Sequence, residues 1–147
     1  MRIIVHDLEL QPERTHEDDA GLDLKSSETF TIQPGESRTV DTGISIAGRR
    51  YWFVQLASRS GLSSKHGIVV LGGVIDSEYT GPIKATLINL GDAPYTVERG
   101  QRICQAIELA VTTGPDVFRD ADGNELAPID KSRGARGTAG FGSTGEQ

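Results

Sequence analysis

The sequence has few of the features that serve nucleic-acid binding, secretion or membrane insertion. Its 147 residues carry a net charge of −6 and include one cysteine. An acidic balance argues against nonspecific binding of DNA or RNA, because a basic face supplies most of that affinity. A single cysteine cannot form an intramolecular disulfide, which is typical of a reducing compartment. Since no apolar run is long enough for a signal segment or a membrane span, we expect a cytoplasmic protein with no nucleic-acid and no membrane partner.

Aromatic side chains are also scarce, at 5% of the residues, whereas the 18 glycines exceed the roughly 7% of average usage. This composition and the length predict one turn-rich β domain. Alternating apolar residues at Phe30 and Ile32 and from Val40 to Ile46 predict half-buried strands. The run from Arg2 to Leu10 predicts an opening strand. Tyr51 to Leu56, apolar on both faces, predicts an interior strand or one covered by another subunit, with Trp52 in the core.

The stretch from Ala57 to Gly81 holds the main candidates for chemistry. An apolar run ends at Leu71, a Gly72-Gly73 pair follows, and Val74-Ile75 continues, which predicts a β-hairpin. Glycine there would expose bare backbone N–H and C=O groups to a planar base. Asp76 comes next, at a strand end, where it is either a turn residue or a catalytic carboxylate.

The residues Arg59-Ser60-Gly61 combine a guanidinium, a hydroxyl and backbone N–H groups. We expect a short helical turn to start there, with Ser60 as its cap. Such a turn suits a phosphate, which binds well to exposed N–H groups and a forked Arg donor. A phosphate site that precedes a base-sized hairpin indicates a nucleotide ligand.

Three polar residues in predicted strands have two interpretations each. Asp23, between two leucines, is either a turn anchor or a contact to a hard cation. Gln105, on a mostly apolar face of the last strand, needs either a backbone partner or a bound phosphate. Lys84 is a substrate contact or a solvent-facing lysine. Cys104 is expected to be a small buried hydrophobe rather than a nucleophile.

The segment from Gly134 to Gln147 is rich in glycine and has no core pattern, so we expect a flexible tail. Its Gly-x-Gly-x-x-Gly run at 140–145 is not a dinucleotide fingerprint, because no helix can follow it within the two remaining residues. Glycine N–H groups and Arg136 could still bind phosphates, and Phe141 could stack on a base.

Five short motifs occur in a fixed order along the chain. They are Ala20-Gly21-Leu22-Asp23-Leu24, Arg59-Ser60-Gly61-Leu62 with Lys65-His66-Gly67, Gly73-Val74-Ile75-Asp76 with Tyr79 and Gly81, Arg99-Gly100-Gln101-Arg102-Ile103-Cys104-Gln105, and Arg136 to Gly145. Together they resemble the motifs of the trimeric, all-β dUTP diphosphatases, and the similarity runs nearly from end to end.

The resemblance implies a fold, an assembly and a reaction. The fold would be a single-domain, jelly-roll-like β-barrel of the dUTPase type over residues 1–115, followed by a linker and a flexible glycine-rich C-terminal arm over residues 116–147. Three copies would form a homotrimer whose sites combine three chains, with the arm of one chain closing a site on its neighbours. The reaction would be hydrolysis of dUTP to dUMP and pyrophosphate with Mg²⁺, and water would attack the α-phosphorus.

The resemblance also implies a role for each candidate. Asp76 would be the general base, and Asp23 would contact Mg²⁺ through water. The backbone around Gly73 would read uracil and exclude a thymine methyl, while Tyr79 would pack on deoxyribose and reject a 2′-hydroxyl. The implied substrate-binding residues are Arg59, Ser60, Gly61, Gly73, Val74, Ile75, Tyr79, Lys84, Gln105, Arg136, Phe141, Gly142 and Ser143.

Four positions depart from the pattern common in that family. Ser58 stands where many relatives have proline, Thr80 where arginine is common, Gln101 where an acid is usual, and Ala139 where glycine is usual. We expect modest effects on rate or affinity, because none of these positions is a proposed catalytic group.

Two alternatives remain open at this point. The first is a dCTP deaminase or a bifunctional relative, whose Arg-Ser-Ser motif differs here at Gly61. The second is a dUTP-responsive regulatory protein that binds a protein partner of unknown identity, with the loop from Thr112 to Arg133 as a partner surface.

Overall fold

The computed structural model describes residues 1–47, 50–111 and 119–126. The strands, numbered in chain order, are β1 (Arg2–Val5), β2 (Leu22–Lys25), β3 (Phe30–Ile32), β4 (Ser37–Ala47), β5 (Trp52–Ser58), β6 (Ile68–Leu71), β7 (Val74–Ile75), β8 (Pro82–Asn89), β9 (Tyr95–Val97) and β10 (Arg102–Ala110). One α-helix, α1 (Ser60–His66), and a 3₁₀ turn (Leu8–Leu10) complete the regular elements of these described ranges. The all-β class predicted from composition is confirmed.

Two four-stranded antiparallel sheets form the body of the fold. The first has the strand order β1-β4-β8-β6 and the second the order β2-β10-β5-β7, while β3 and β9 pair separately. Several neighbouring strands are far apart in sequence, as in a jelly roll. Buried apolar side chains of both large sheets, among them Leu24, Val54, Ile83 and Leu87, form one core cluster. The jelly-roll-like architecture is therefore confirmed, and β5 is an interior strand as predicted.

The long strand β4 shows why alternation was informative. Val40, Thr42, Ile44 and Ile46 are all at most 4% exposed, and they lie on one face of the strand. The single hydroxyl on this face is satisfied, because Thr42 Oγ1 donates to the carbonyl of Ile83 at 2.7 Å. A polar group can occupy this core position because it keeps a hydrogen bond there.

The opening strand is shorter than predicted. It ends at Val5, and the chain then turns into the 3₁₀ segment. Asp7 stands at the N-cap of that segment, where its carboxylate accepts from the backbone N–H of Glu9 at 3.0 Å. The cap ends the strand, a local signal that the apolar spacing alone did not reveal.

The predicted hairpin at Gly72-Gly73 is wrong. Strand β6 pairs with β8 in the first sheet, whereas β7 pairs with β5 in the second sheet. The two glycines therefore carry the chain from one sheet to the other, with φ angles of +67° and +95°. Glycine adopts such angles without steric cost, in a sheet crossover as well as in a hairpin, so local composition could not distinguish the two.

The predicted faces of the last strand also need correction. A bulge between Arg102 and Cys104 shifts the register of β10. Beyond it, Cys104 and Ala106 are fully buried, and Gln105 is half-buried on the opposite face. Gln105 thus points away from the core, and its polarity needs no buried partner.

None of the helices in the described ranges has the length and apolar character needed to cross a bilayer. The predicted boundary between core and arm at residue 115 falls among residues outside the described ranges, so it stays a prediction.

Candidate active site

Candidate residues from three separate motifs meet at one end of the second sheet. In the register of β10, Gln105 lies opposite Asp23 of β2 on one side and opposite Ala57 of β5 on the other. Arg59 follows directly after the end of β5. The antiparallel pairing of these strands is what brings the three side chains to one place.

Asp23 is buried under the guanidinium of Arg59. The side chain of Asp23 is 5% exposed and accepts two hydrogen bonds from the guanidinium of Arg59. Arg59 Nε donates to Oδ1 at 3.0 Å, and Nη2 donates to Oδ2 at 3.3 Å. A forked contact of this kind fixes both groups, because it restrains the orientation of the guanidinium as well as its position. These contacts to a guanidinium support the interpretation of Asp23 as an anchor.

A second guanidinium, that of Arg102, reaches the same carboxylate. Arg102 Nη1 donates to Asp23 Oδ2 at 3.3 Å and to Thr15 Oγ1 at 3.3 Å. One carboxylate thus faces two guanidiniums whose side chains are 26% and 38% exposed, which leaves one positive charge in excess at a solvent-facing site. Sequence reasoning missed Arg102, because the excess charge becomes visible only when the strands are paired.

Gly21 makes room for Gln105. A Cβ added at Gly21 would lie 2.9 Å from the Cβ of Gln105 and 3.2 Å from its Oε1. A larger residue at this position would push the glutamine side chain away from the end of the sheet. The first motif, which contains Gly21, therefore packs directly against the fourth motif, which contains Gln105.

The helix α1 begins where a helical turn was predicted, but with a different cap. Arg59 occupies the N-cap position, and within the described ranges no side-chain capping bond is formed there. Ser60 is the first helical residue, so its predicted role as the cap is wrong. Ser60 and Gly61 are exposed, and N–H groups in the first turn of a helix lack intrahelical acceptors. Their amides are available to an anion beside Arg59.

Asp76 and Tyr79 share a tight turn after β7. The backbone N–H of Tyr79 donates to the carbonyl of Asp76 at 3.1 Å. Tyr79 is 8% exposed, and its hydroxyl donates to the carbonyl of Pro82 at 3.0 Å. Burial raises the pKa of the Tyr79 hydroxyl above its usual value, and the charge of Asp41 raises it further. The phenol therefore stays neutral across the physiological range.

Gly81 leaves room for the ring of Tyr79 close to the backbone. A Cβ there would come within 2.5 Å of the tyrosine oxygen and 2.7 Å of Cζ. The glycine in this motif is thus explained by the position of the ring.

Asp76 and Tyr79 line a narrow cleft of about 20 Å³. That is close to the minimum volume that holds one water molecule, and it is far below the several hundred Å³ of a typical ligand pocket. Trp52, Phe53 and Glu108 are among the other residues that line this cleft. Trp52, predicted to be core, is half-buried and belongs to the site instead. A larger cavity of about 280 Å³ lies elsewhere, between the end of α1 and Tyr95.

The residues of the third motif differ sharply in exposure. The carbonyl of Gly73 accepts from the backbone N–H of Leu56 at 2.7 Å, which attaches the crossover to β5. Val74 is 59% exposed, while Ile75 is 8% exposed and belongs to the core cluster. The crossover thus presents Gly72 to Val74 at the surface and uses Ile75 as its anchor.

The remaining candidates lie apart from these two groups. Lys84 is exposed on β8 of the first sheet, in register with Asp41, and the structure does not bring it to the Arg59 group. The four arm residues Arg136, Phe141, Gly142 and Ser143 lie outside the described ranges.

The register of β5 separates the two groups of candidates. Gly73 contacts Leu56, Ile75 lies opposite Val54, and the next position opposite Asp76 would be Phe53. Arg59, the N-cap of α1 directly after β5, is six residues farther along the chain than Phe53, a separation of up to about 20 Å at 3.3 Å per extended residue. Asp76 and Arg59 therefore lie on opposite sides of the glycine crossover within one chain.

In the part of the chain that the structure describes, no group of three or more His, Cys, Asp or Glu side chains could hold a metal ion. Asp23 does not fit a direct metal ligand, because two guanidiniums engage its oxygens. Cys104 is fully buried, and burial raises the pKa of its thiol to about 12. As predicted, it is not an activated nucleophile.

Comparison with known proteins gives consistent matches. The family model described as dUTPase matches residues 10–145. The deoxyuridine 5′-triphosphate nucleotidohydrolase of Leifsonia xyli is 40% identical over 91% of this chain and 84% of its own. A structure of a mutant Staphylococcus bacteriophage 80alpha dUTPase with dUpNHpp has a TM-score of 0.72 at 26% identity, over 99% of this chain and 98% of its own. A phage phi11 dUTPase structure, described with a structural Mg(II) ion, has a TM-score of 0.71 at 22% identity, over 90% and 98% of the two chains.

Proposed function

The chain belongs to the dUTPase family, and we propose that it hydrolyses dUTP to dUMP and pyrophosphate with Asp76 as the general base. The observation that carries the assignment of the base is the position of Asp76 directly after β7, in one turn with the buried and hydrogen-bonded Tyr79. General-base hydrolysis requires a carboxylate within hydrogen-bonding distance of the attacking water, and Asp76 is half-buried at this turn.

In the proposed reaction Asp76 accepts a proton while the water oxygen attacks the α-phosphorus. The bond from the α-phosphorus to the bridging oxygen breaks, and pyrophosphate leaves. A positioned base typically contributes about 10²–10⁴-fold to such a step, and the rest comes from orientation and charge neutralisation.

The base and sugar would be selected around the glycine crossover. Gly72 to Val74 present backbone groups at the surface, which suits the polar edge of uracil. Tyr79 is held by its bond to Pro82, so a flat ring lies in a fixed position for deoxyribose. Packing of the sugar against a ring held in this way would exclude a 2′-hydroxyl, and Tyr79 would thereby select the deoxy sugar.

The triphosphate would bind at the other group. Arg59 and the first amides of α1 suit phosphate oxygens, Gln105 lies beside them in register, and the excess positive charge shared with Arg102 favours an anion. Arg136 and the other arm residues are proposed to complete this site from outside the described ranges. Lys84 remains a weaker candidate, because the structure keeps it on the first sheet.

We propose that Mg²⁺ enters as part of the substrate, bound to the phosphates of dUTP. Phosphate oxygens and water are the ligands that Mg²⁺ prefers at nucleotide sites. A water-mediated contact from Asp23 becomes possible when the triphosphate draws a guanidinium away from that carboxylate. The role of Mg²⁺ is then to neutralise the phosphates.

A homotrimer with shared sites accounts for the separation of the two groups. If the base lies at Gly73, the α-phosphate must lie toward Asp76, whereas Arg59 lies on the other side of the crossover. One chain therefore offers the hydrolytic and the phosphate-binding residues in opposite directions. A second copy that supplies Arg59 and Gln105 next to Asp76 resolves this geometry, and the small cleft around Asp76 is consistent with it.

Product analysis tests the proposal directly. Purified protein with Mg²⁺ is incubated with dUTP, dCTP, dTTP or UTP, and pyrophosphate and ammonia are measured. Pyrophosphate from dUTP alone supports the reaction and its selectivity. Ammonia from dCTP would support the deaminase alternative instead, and no product from dUTP would refute hydrolysis.

A further inference from the structure

The crossover at Gly72-Gly73 is held to β5 by few contacts. Leu56 N–H bonds to the carbonyl of Gly73, and β7, which follows, is only two residues long. Both glycines have positive φ, where the backbone has little steric restraint from a side chain. A peptide between two glycines can rotate at low cost unless something fixes its carbonyl.

Gln55 supplies such a restraint. Its Nε2 donates to the carbonyl of Leu56 at 2.9 Å and to the carbonyl of Gly72 at 3.4 Å. A Cβ added at Gly73 would lie 3.2 Å from the same Nε2, so the amide lies against the face that the glycine leaves open. Gln55 therefore connects a fixed carbonyl of β5 to the carbonyl of the peptide between the two glycines.

The orientation of that peptide decides which groups the ligand meets. The carbonyl of Gly72 and the N–H of Gly73 belong to one peptide, and they point in opposite directions. Rotation of this peptide would exchange a donor for an acceptor on the surface. Uracil, like thymine, has an acceptor at O4, whereas cytosine has an N–H donor at N4, so such an exchange changes which base fits.

We propose that Gln55 is a positioning residue that determines base specificity by fixing the Gly72–Gly73 peptide in the orientation that suits uracil. The inference rests on the proposed function, because it concerns the base of the same substrate. Gln55 itself needs no contact with the substrate. The bond to the carbonyl of Leu56 fixes the amide of Gln55, the bond to the carbonyl of Gly72 holds that carbonyl toward β5, and the N–H of Gly73 is thereby turned the other way.

Three substitutions separate the amide's donors from its size. Gln55→Leu keeps the bulk and removes both donors, Gln55→Glu directs carboxylate oxygens at two carbonyls, and Gln55→Arg keeps N–H donors on a long side chain. We expect KM for dUTP to rise about tenfold in the Leu variant and more in the Glu variant, because a net hydrogen bond is lost. The value of kcat should change less than about twofold, since Asp76 is untouched.

The decisive quantity is the ratio of kcat/KM for dUTP to that for dCTP, measured by pyrophosphate release. It should fall about tenfold in the Leu variant and recover in the Arg variant. Gln33→Leu, at an exposed glutamine in the turn after β3, is the matched control and should leave the ratio unchanged. An unchanged ratio in both the Leu and Glu variants would overturn the proposal, as would a fall in apparent kcat in proportion to lost folded protein with KM unchanged.

A second measurement separates this inference from the proposed reaction. Amide ¹H–¹⁵N shifts and residual dipolar couplings of Gly72 and Gly73 report the peptide orientation without any substrate. They should change in the Leu variant and return toward wild type in the Arg variant. If wild type released no pyrophosphate from dUTP, the proposed function would fail, and unchanged couplings in the Leu variant would separately reject the role of Gln55.

Discussion

Gly73 lies so close to β5 that a Cβ on it would stand 2.7 Å from the carbonyl oxygen of Leu56. Its neighbour Gly72 has a similar positive φ, but a Cβ there would meet nothing within 4 Å among the described residues. The two glycines therefore separate two effects that usually occur together, the strain of a left-handed backbone and the clash of a side chain.

Substitution of each glycine by alanine tests this distinction. Gly72→Ala should lower the free energy of unfolding by about 1–2 kcal/mol, the usual cost of left-handed backbone. Gly73→Ala should cost about 1–2 kcal/mol more, because the carbonyl of Leu56 must also move. Urea unfolding measures both values, and KM for dUTP should rise more for Gly73→Ala. Equal effects of the two substitutions would contradict the close approach to β5.

Loss of the Asp23 carboxylate should destabilise the fold. Asp23→Asn leaves two guanidiniums without their common partner. Breaking a buried pair costs about 3–5 kcal/mol, and partial exposure of both arginines reduces the expected loss to about 1–3 kcal/mol. Glu28→Gln is the control, since its pair with Arg38 at 3.4 Å is exposed on both sides and should matter by less than about 1 kcal/mol. Equal stability of the two variants in urea would remove the case for Asp23 as an anchor.

Cys104 should make the stability of the fold fall at alkaline pH. Its pKa is raised to about 12 in the folded chain, whereas an unfolded cysteine titrates near 8.5. Above that lower pKa the unfolded state loses a proton that the folded state keeps, so ionisation favours unfolding between about pH 9 and pH 12. The contribution reaches about 1.4 kcal/mol per pH unit. Relative to Cys104→Ala, wild type should lose stability over this interval in urea titrations, and parallel curves for the two proteins would argue against the burial of the thiol.

Asp76→Asn should retain dUTP and fail to hydrolyse it. The amide has the shape of the carboxylate but cannot accept the proton of the attacking water, so kcat should fall about 10²–10⁴-fold. The crossover, the Arg59 group and the fold remain, and the dissociation constant for dUTP should stay within about threefold of wild type by calorimetry. A variant with near-normal turnover would show that Asp76 is not the base.

Sequence patterns predicted the strands well where the signal was local. Alternation identified β3 and β4, and a run that is apolar on both faces identified the interior strand β5. The patterns failed where the pairing of strands depends on the rest of the fold. Gly72 and Gly73, predicted to form a hairpin, instead connect the two sheets. The bulge after Arg102 places Gln105 on the face opposite to the one predicted. Trp52 was predicted to be core because its strand is apolar on both faces, but it is half-buried at the start of β5 and lines the cleft that also contains Asp76.

Motif order predicted Asp23, Arg59 and Gln105 as one site, and pairing of β2, β10 and β5 brings them together. Arg102 was missed, because an excess of guanidinium over carboxylate is a property of neighbours in space. The distance between this group and Asp76 could not be read from the motifs either. It depends on how many residues of β5 lie between them, which only the register of β7 on β5 defines.

Mixed oligomers test whether two chains share one site. Asp76→Asn lacks the base and Arg59→Gln lacks a phosphate contact, so each variant alone should be nearly inactive. After co-denaturation and refolding of a 1:1 mixture, random trimers should contain intact sites at about a quarter of the wild-type number, because each site draws the two residues from different chains. If both residues of a site came from one chain, no intact site would form and the mixture would stay inactive. A mixture of Asp76→Asn with Asp76→Ala is the control, since neither partner can supply the base, and light scattering confirms that all mixtures have the same mass.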